Sequence, residues 1–419
     1  MFTLIRLAIL LAPILAVRGL DLDANLPRDG KSAGKVAKSW YNANSVAEFP
    51  VSAIPWSKYN QVAYSFGVPT EDPGVVSLSY SRAGPEVLPN FVKAAHDHGV
   101  LAILSIGGWN GSVHYSTAVG SPSNRTQFVK ALTDLVTKYD LDGLDFDWEY
   151  PNRQGIGCNS IQAHDTDNFL AFLQELRRDP VGSKLVLSAP SSVQPWNDAS
   201  GNPSTDLSAF ATVLDHIAVM NYDVNGPWGD VVAPNAPLND TCAPPNRRVS
   251  SAIDSINAWH KAGIPKNQLV LGVAFYGHGY SVNKTDAYKK GSKELALYPA
   301  FNKNIHPKGD KFDDPDGLVD PCGVANPPGG TFSFRGLIEG GYLNKDGSPR
   351  VSYLFDECSQ TAYVYKDKDE VMVSYDDKRA AEAKGKFIKD AGIAGFAAWH
   401  TGGDYNNILI DGIRKNMGF

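Results

Sequence analysis

Ten residues, Asp142 to Pro151, read DGLDFDWEYP and put Asp145, Asp147 and Glu149 at alternate positions of a run with the composition of a β-strand. Alternate positions of a strand face the same way. Leu144, Phe146 and Trp148 then share the opposite face. Carboxylates held side by side raise one another's pKa and resist burial. A chain keeps such a row chiefly where protons have to be moved. A hard-cation site predicts Asn, Gly and loop spacing instead of strict alternation with aromatics. Asp142 has the opposite parity and is read as a structural residue.

The 419 residues, 43% of them hydrophobic, can bury a large core, and the net charge of −6 with no Lys/Arg run argues against nucleic acid or an anionic membrane surface as partner. The substrate is expected to be neutral or cationic, and the protein a monomer. The first residues, MFTLIRLAILLAPILAVRG, join a charge at Arg6 to an apolar run from Leu7 to Val17 and a small residue at Gly19. That is the pattern of a secretory signal peptide over residues 1–19, and no later segment approaches the roughly 20 apolar residues a membrane span needs. Export makes Cys158, Cys242, Cys322 and Cys358 disulfide partners. Cys158 with Cys242 and Cys322 with Cys358 is the expected pairing, because the first two follow successive strands and the last two share one inserted region. Asn110, Asn124, Asn239 and Asn283 each open an Asn-x-Ser/Thr sequon, which suits an extracellular glycoprotein.

Eight apolar runs recur: Val36 to Trp40, Val62 to Phe66, Leu101 to Ile106, Leu144 to Trp148, Leu185 to Ala189, Ile217 to Tyr222, Leu269 to Tyr276 and Ile393 to Trp399. Between them lie sets at helical spacing, such as Phe128, Leu132, Leu135 and Tyr139. Gly99 and Gly392 are placed as helix C-terminal caps. Strand–helix alternation with continuously apolar strands predicts an α/β fold, a closed (β/α)8 TIM barrel, over residues 20–276 and 376–419. Residues 277–375 are too long for a loop and predict a small α+β insertion between strands 7 and 8 that walls a cleft.

Barrel active sites lie at the C-terminal strand ends. Here those ends carry Ser105, Gly107, Gly108 and Trp109 on the third strand, the acidic row on the fourth, Met220, Tyr222 and Asp223 on the sixth, Tyr276 on the seventh and Trp399 on the eighth. Aromatic planes around carboxylates suit a sugar, whose C–H faces stack while its hydroxyls hydrogen-bond.

At this point the sequence resembles glycoside hydrolase family 18, the chitinases and their relatives. Asp142, Asp145, Asp147 and Glu149 match the family's Asp-x-x-Asp-x-Asp-x-Glu signature; SIGGW (Ser105 to Trp109), MNYD (Met220 to Asp223), FYGH (Phe275 to His278), VSYDD (Val373 to Asp377) and Trp399 follow in the right order. His278 stands where the family usually has Arg. Trp40 and Tyr41 match the family's first-strand aromatic pair loosely, and which of them faces the sugar is left open.

The resemblance implies hydrolysis of chitin or chitooligosaccharides with retention, the substrate's own 2-acetamido group attacking the anomeric carbon. Glu149 is then the acid, its pKa raised by the neighbouring Asp147 charge. Asp147 shares a proton with Asp145 and turns to the acetamido N–H, Tyr222 donates to the acetamido oxygen, and Asp223 helps bind the sugar. Asp145 and Ser105 support them. Trp399 lies under the sugar at the cleavage site beside Phe66, while Trp109 and Trp228 stack on the product side; His278 is a hydrogen-bonder at the rim. No metal or organic cofactor is needed. Two rivals are a chitin-binding lectin, which usually lacks the acid, and an endo-β-N-acetylglucosaminidase, against which the large insertion counts.

Overall fold

Each of the eight apolar runs forms a strand in the computed structural model, which describes residues 34–79, 83–84 and 86–419; the expected leader lies outside the described residues. The barrel strands are β1 (Val36–Asn42), β2 (Gln61–Pro69), β3 (Leu101–Gly107), β4 (Gly143–Asp147), β5 (Val186–Ser191), β6 (His216–Val219), β7 (Leu269–Ala274) and, after the five strands of the insertion's main sheet, β13 (Gly395–Trp399). Neighbours pair in parallel, and β1 pairs with both β2 and β13, which closes the ring. The architecture is the expected (β/α)8 barrel with an α+β insertion.

Three strands end earlier than their apolar runs, β4 by the single residue Trp148 and two others by more. β6 stops at Val219, so Met220 to Asp223 lie beyond the ladder, and β7 stops at Ala274 because Tyr276 already starts the insertion sheet. Outward-facing Leu144, Phe146 and Trp148 pack under the helix layer: Phe146 lies 5.3 Å from Phe172, and Trp148 5.0 Å from Tyr115. Inside the barrel the apolar residues are mostly small, Ala63, Ala218 and Ala397 beside Ile103, Val186 and Val270. That leaves room at the centre for polar side chains.

The helices include α1 (Val87–Asp97), α2 (Pro122–Tyr139), α3 (Asp165–Arg178), α4 (Ala252–Lys261), α5 (Lys378–Ala391) and α6 (Ile408–Met417). Ser121, Ser251 and Asp377 accept an N–H from the third residue beyond each, as N-caps do. Gly99 (φ +67°) and Gly392 (φ +68°) end α1 and α5 in the left-handed conformation. The VSYDD run is structural: Asp377 caps α5, and Asp376 makes a buried ion pair with Lys384 on that helix.

The insertion builds an antiparallel five-stranded sheet from β8 (Tyr276–Ser281), β9 (Thr331–Ser333), β10 (Ser352–Asp356), β11 (Thr361–Lys366) and β12 (Val371–Tyr375), in the order β9-β8-β12-β11-β10. Tyr280, Tyr363, Tyr365 and Met372 form its own small core with Val232 and Leu295.

The cysteines pair differently from the expectation. Cys158 bonds Cys322 and Cys242 bonds Cys358, across 164 and 116 residues. The insertion folds down over the barrel rim, so each of its cysteines meets a barrel loop instead of its own neighbour. Both bridges thus tie the cleft wall to the barrel. Cys158→Ser with Cys322→Ser is expected to destabilise the fold by about 2–5 kcal/mol, and a thermal melt with an unchanged midpoint would show that the wall is held without it. Among the described residues no helix is long and apolar enough to cross a membrane.

Candidate active site

The C-terminal rim and the insertion enclose a cleft of about 370 Å³. Trp40, Phe66, Trp399 and Met220 line it together with Asp147, Glu149, Tyr222, Asp223 and Tyr276; Trp109, 49% exposed, stands at its edge. Phe66 and Trp399 stack 5.8 Å apart with their planes 19° from parallel. Gly108 does not line the cleft: at φ +78° it sits where a Cβ would come within 2.7 Å of the Phe66 ring. Trp228, 62% exposed, is also absent from the lining and stands edge-on to His278 at 5.2 Å.

Tyr41 does not face the cleft. Its side chain points outwards into the helix layer, stacking on Phe91 at 5.7 Å, and its hydroxyl donates to the Phe49 carbonyl. Strand alternation sends Trp40 inwards and Tyr41 outwards. Asp142 also lies away from the cleft, accepting from the Ala102 N–H (2.7 Å) and facing His96 Nε2 (2.9 Å).

Beneath the cleft, Asp145 is fully buried with every acceptor position filled. Lys38 Nζ (2.5 Å) and Ser188 Oγ (2.6 Å) donate to Oδ1, and Trp40 Nε1 (2.8 Å) and Ser105 Oγ (2.8 Å) to Oδ2. Burial alone would raise its pKa, but the Lys38 ammonium and these donors hold it below the usual range. Asp145 is therefore an anion with no free lone pair, so the expected proton shared with Asp147 has no place between them. His216, buried nearby, is kept neutral by desolvation and the Lys38 charge, its pKa pushed down to about 3.

Asp147 is buried and its Oδ1 has no hydrogen-bond partner among the described residues. Burial first, then the charges of Glu149 and Asp145, push its carboxyl well above the ordinary range. Glu149 follows, its backbone N–H held by Ser112 Oγ at 2.9 Å. Desolvation raises its pKa to about 7 and the Asp223 charge adds to this, against the contact with Tyr150 and the Arg153 guanidinium. Asp147 and Glu149 oppose each other's ionisation, and the Glu149 charge helps to raise Asp147. Desolvation above all, with the neighbouring acidic groups adding to it, keeps the Tyr222 hydroxyl protonated and able to donate. An acid in this position must hold its proton, so kcat/KM is expected to fall about tenfold per pH unit above about pH 7. A profile flat to pH 9 would contradict that assignment.

Asp223 has a left-handed backbone (φ 55°), and its Oδ1 meets the Tyr276 hydroxyl (2.6 Å) and His278 Nε2 (2.7 Å). His278 is buried and set by this carboxylate. The sequence reading missed Lys38 and Ser188, which fix Asp145, and the far wall, where Phe312, Asp313 and Thr331 of the insertion and His400 face the cleft. Phe312 packs edge-on to His400 at 5.3 Å, and Asp313 is pinned by the N–H groups of Gly309, Gly330 and Thr331.

Residues 36–404 match the family model described as glycosyl hydrolases family 18. The chain belongs to that family. The family 18 protein is 55% identical over 391 residues to a chitinase-like effector of Moniliophthora perniciosa, an alignment that takes in 93% of this chain and 89% of the relative. It is 48% identical over 410 residues to a chitinase-like effector of Moniliophthora roreri, covering 98% and 99%. A crystal structure of a chitinase from Rhizomucor miehei superposes with a TM-score of 0.81 at 31% identity, covering 91% of this chain and all of that one. As a family 18 member the protein is a glycoside hydrolase with a closed barrel.

Proposed function

We propose that this protein is a secreted chitinase that cleaves β-1,4 bonds between N-acetylglucosamine units with retention, assisted by the 2-acetamido group. The observation that carries this reading is the contrast among its carboxyl groups. Asp145 is saturated by donors, Asp223 is engaged by Tyr276 and His278, Asp147 is pushed well towards its neutral form by burial, and Glu149 reaches the cleft with a pKa raised to about 7. Of these four groups none is both ionised and unengaged, so none is a ready nucleophile for the anomeric carbon. The substrate must bring its own nucleophile.

In this mechanism Glu149 gives its proton to the glycosidic oxygen as the acetamido carbonyl oxygen bonds to the anomeric carbon and the leaving sugar departs. Water then attacks the anomeric carbon from the vacated side, returning a proton to Glu149 and freeing the acetamido group. Two successive inversions give retention. The unpartnered Asp147 Oδ1 supports a role in accepting the acetamido N–H, and the protonated Tyr222 one in donating to the acetamido oxygen. Trp399 and Phe66 offer the stacking plane beneath the reacting sugar. The test compares N-acetylchitotetraose, its fully deacetylated form and cellotetraose. Only the first should be cleaved, and comparable turnover of cellotetraose would remove the acetamido group from the mechanism.

A second reading is favoured by the name chitinase-like effector carried by relatives at 55% and 48% identity: the protein binds chitin fragments and turnover is incidental. Calorimetric binding of N-acetylchitotetraose without product release would select it.

A further inference from the structure

The four sequons fall in different surroundings. Asn124 is the third residue of α2, and its Nδ2 donates to the Thr117 carbonyl at 2.8 Å. Asn239 donates to Thr241 Oγ1, and Asn283 is exposed ahead of a short helix. Asn110 alone lines the cleft. It is half-buried beside the exposed Trp109. The third sequon residue, Ser112, is buried and holds the Glu149 N–H, so this turn is built onto the catalytic strand end.

An N-glycan begins with two β-1,4-linked N-acetylglucosamine residues, the same disaccharide that repeats in chitin. Attached at Asn110, it would be delivered to an aromatic cleft at the high effective concentration of an intramolecular ligand. We infer that Asn110 carries an N-glycan whose first sugars lie along the cleft rim at Trp109 and compete with free chitooligosaccharides there. The inference rests on the reading that the chain is exported, since sequons are used only in the secretory pathway. It does not depend on turnover.

The test uses the full chain secreted from a yeast host. Glycopeptide mapping is expected to find Asn110 occupied, and Asn110→Gln to tighten binding of N-acetylchitotetraose about tenfold by calorimetry. Removal of all glycans by a peptide-N-glycosidase should tighten it equally, and Asn283→Gln should change nothing. Glycans at Asn239 or Asn283 with Asn110 bare would overturn the proposal and leave export standing. No glycan on any sequon of the secreted chain would overturn the proposal, whereas retention of the chain inside the cell would overturn export. Occupancy at Asn110 with unchanged affinity after its removal would also overturn the proposal.

Discussion

A Glu149→Gln variant is expected to hydrolyse N-acetylchitooligosaccharides about 10³-fold more slowly than wild type while binding them as tightly. The amide keeps the shape and hydrogen-bonding reach of the carboxyl but cannot give up a proton to the glycosidic oxygen. Its neighbours keep their places, because the backbone N–H of Glu149 stays on Ser112 and Asp145 stays on Lys38. Binding depends on the aromatic planes and should survive. Turnover within tenfold of wild type would show that another group supplies the proton.

Lys38→Met is expected to weaken the fold sharply. Removing the ammonium leaves Asp145 buried with two neutral hydroxyls and an indole N–H and no counter-charge. Breaking a buried pair by deleting one partner costs about 3–5 kcal/mol, most of it the desolvated charge left behind. The urea midpoint should fall accordingly, and Lys38→Met with Asp145→Asn should recover a large part of the loss, since that double variant leaves no uncompensated charge. An unchanged midpoint in the single variant would mean that Asp145 is already neutral.

Sequence periodicity was enough to show the barrel because short, largely apolar strands alternate with helices that carry their own punctuation, as Gly99 and Gly392 do. The acidic row was visible for the same reason: period 2 puts Asp145, Asp147 and Glu149 on one face. Lys38 follows the same parity as Trp40, so a lysine inside an apolar strand was an available signal for a buried partner. Applied to the first strand, that parity also separates Trp40 from Tyr41. The disulfide pairing was not legible, since it depends on how the insertion settles on the rim, a tertiary fact with no local trace. The same holds for Phe312 and Asp313, which reach the cleft from a Pro-rich segment with no periodic pattern. Which effect raises Glu149 also needed coordinates, because desolvation outweighs the neighbouring charges.

NMR of the products released from N-acetylchitotetraose in the first minutes of reaction distinguishes the possible mechanisms by the anomer formed. Acetamido-assisted catalysis with Glu149 as acid predicts β-anomer in excess at the new reducing end, relaxing later towards the mutarotation mixture, and none of it from Glu149→Gln. Fresh α-anomer would mean that water attacks the glycosidic carbon directly, which contradicts acetamido assistance.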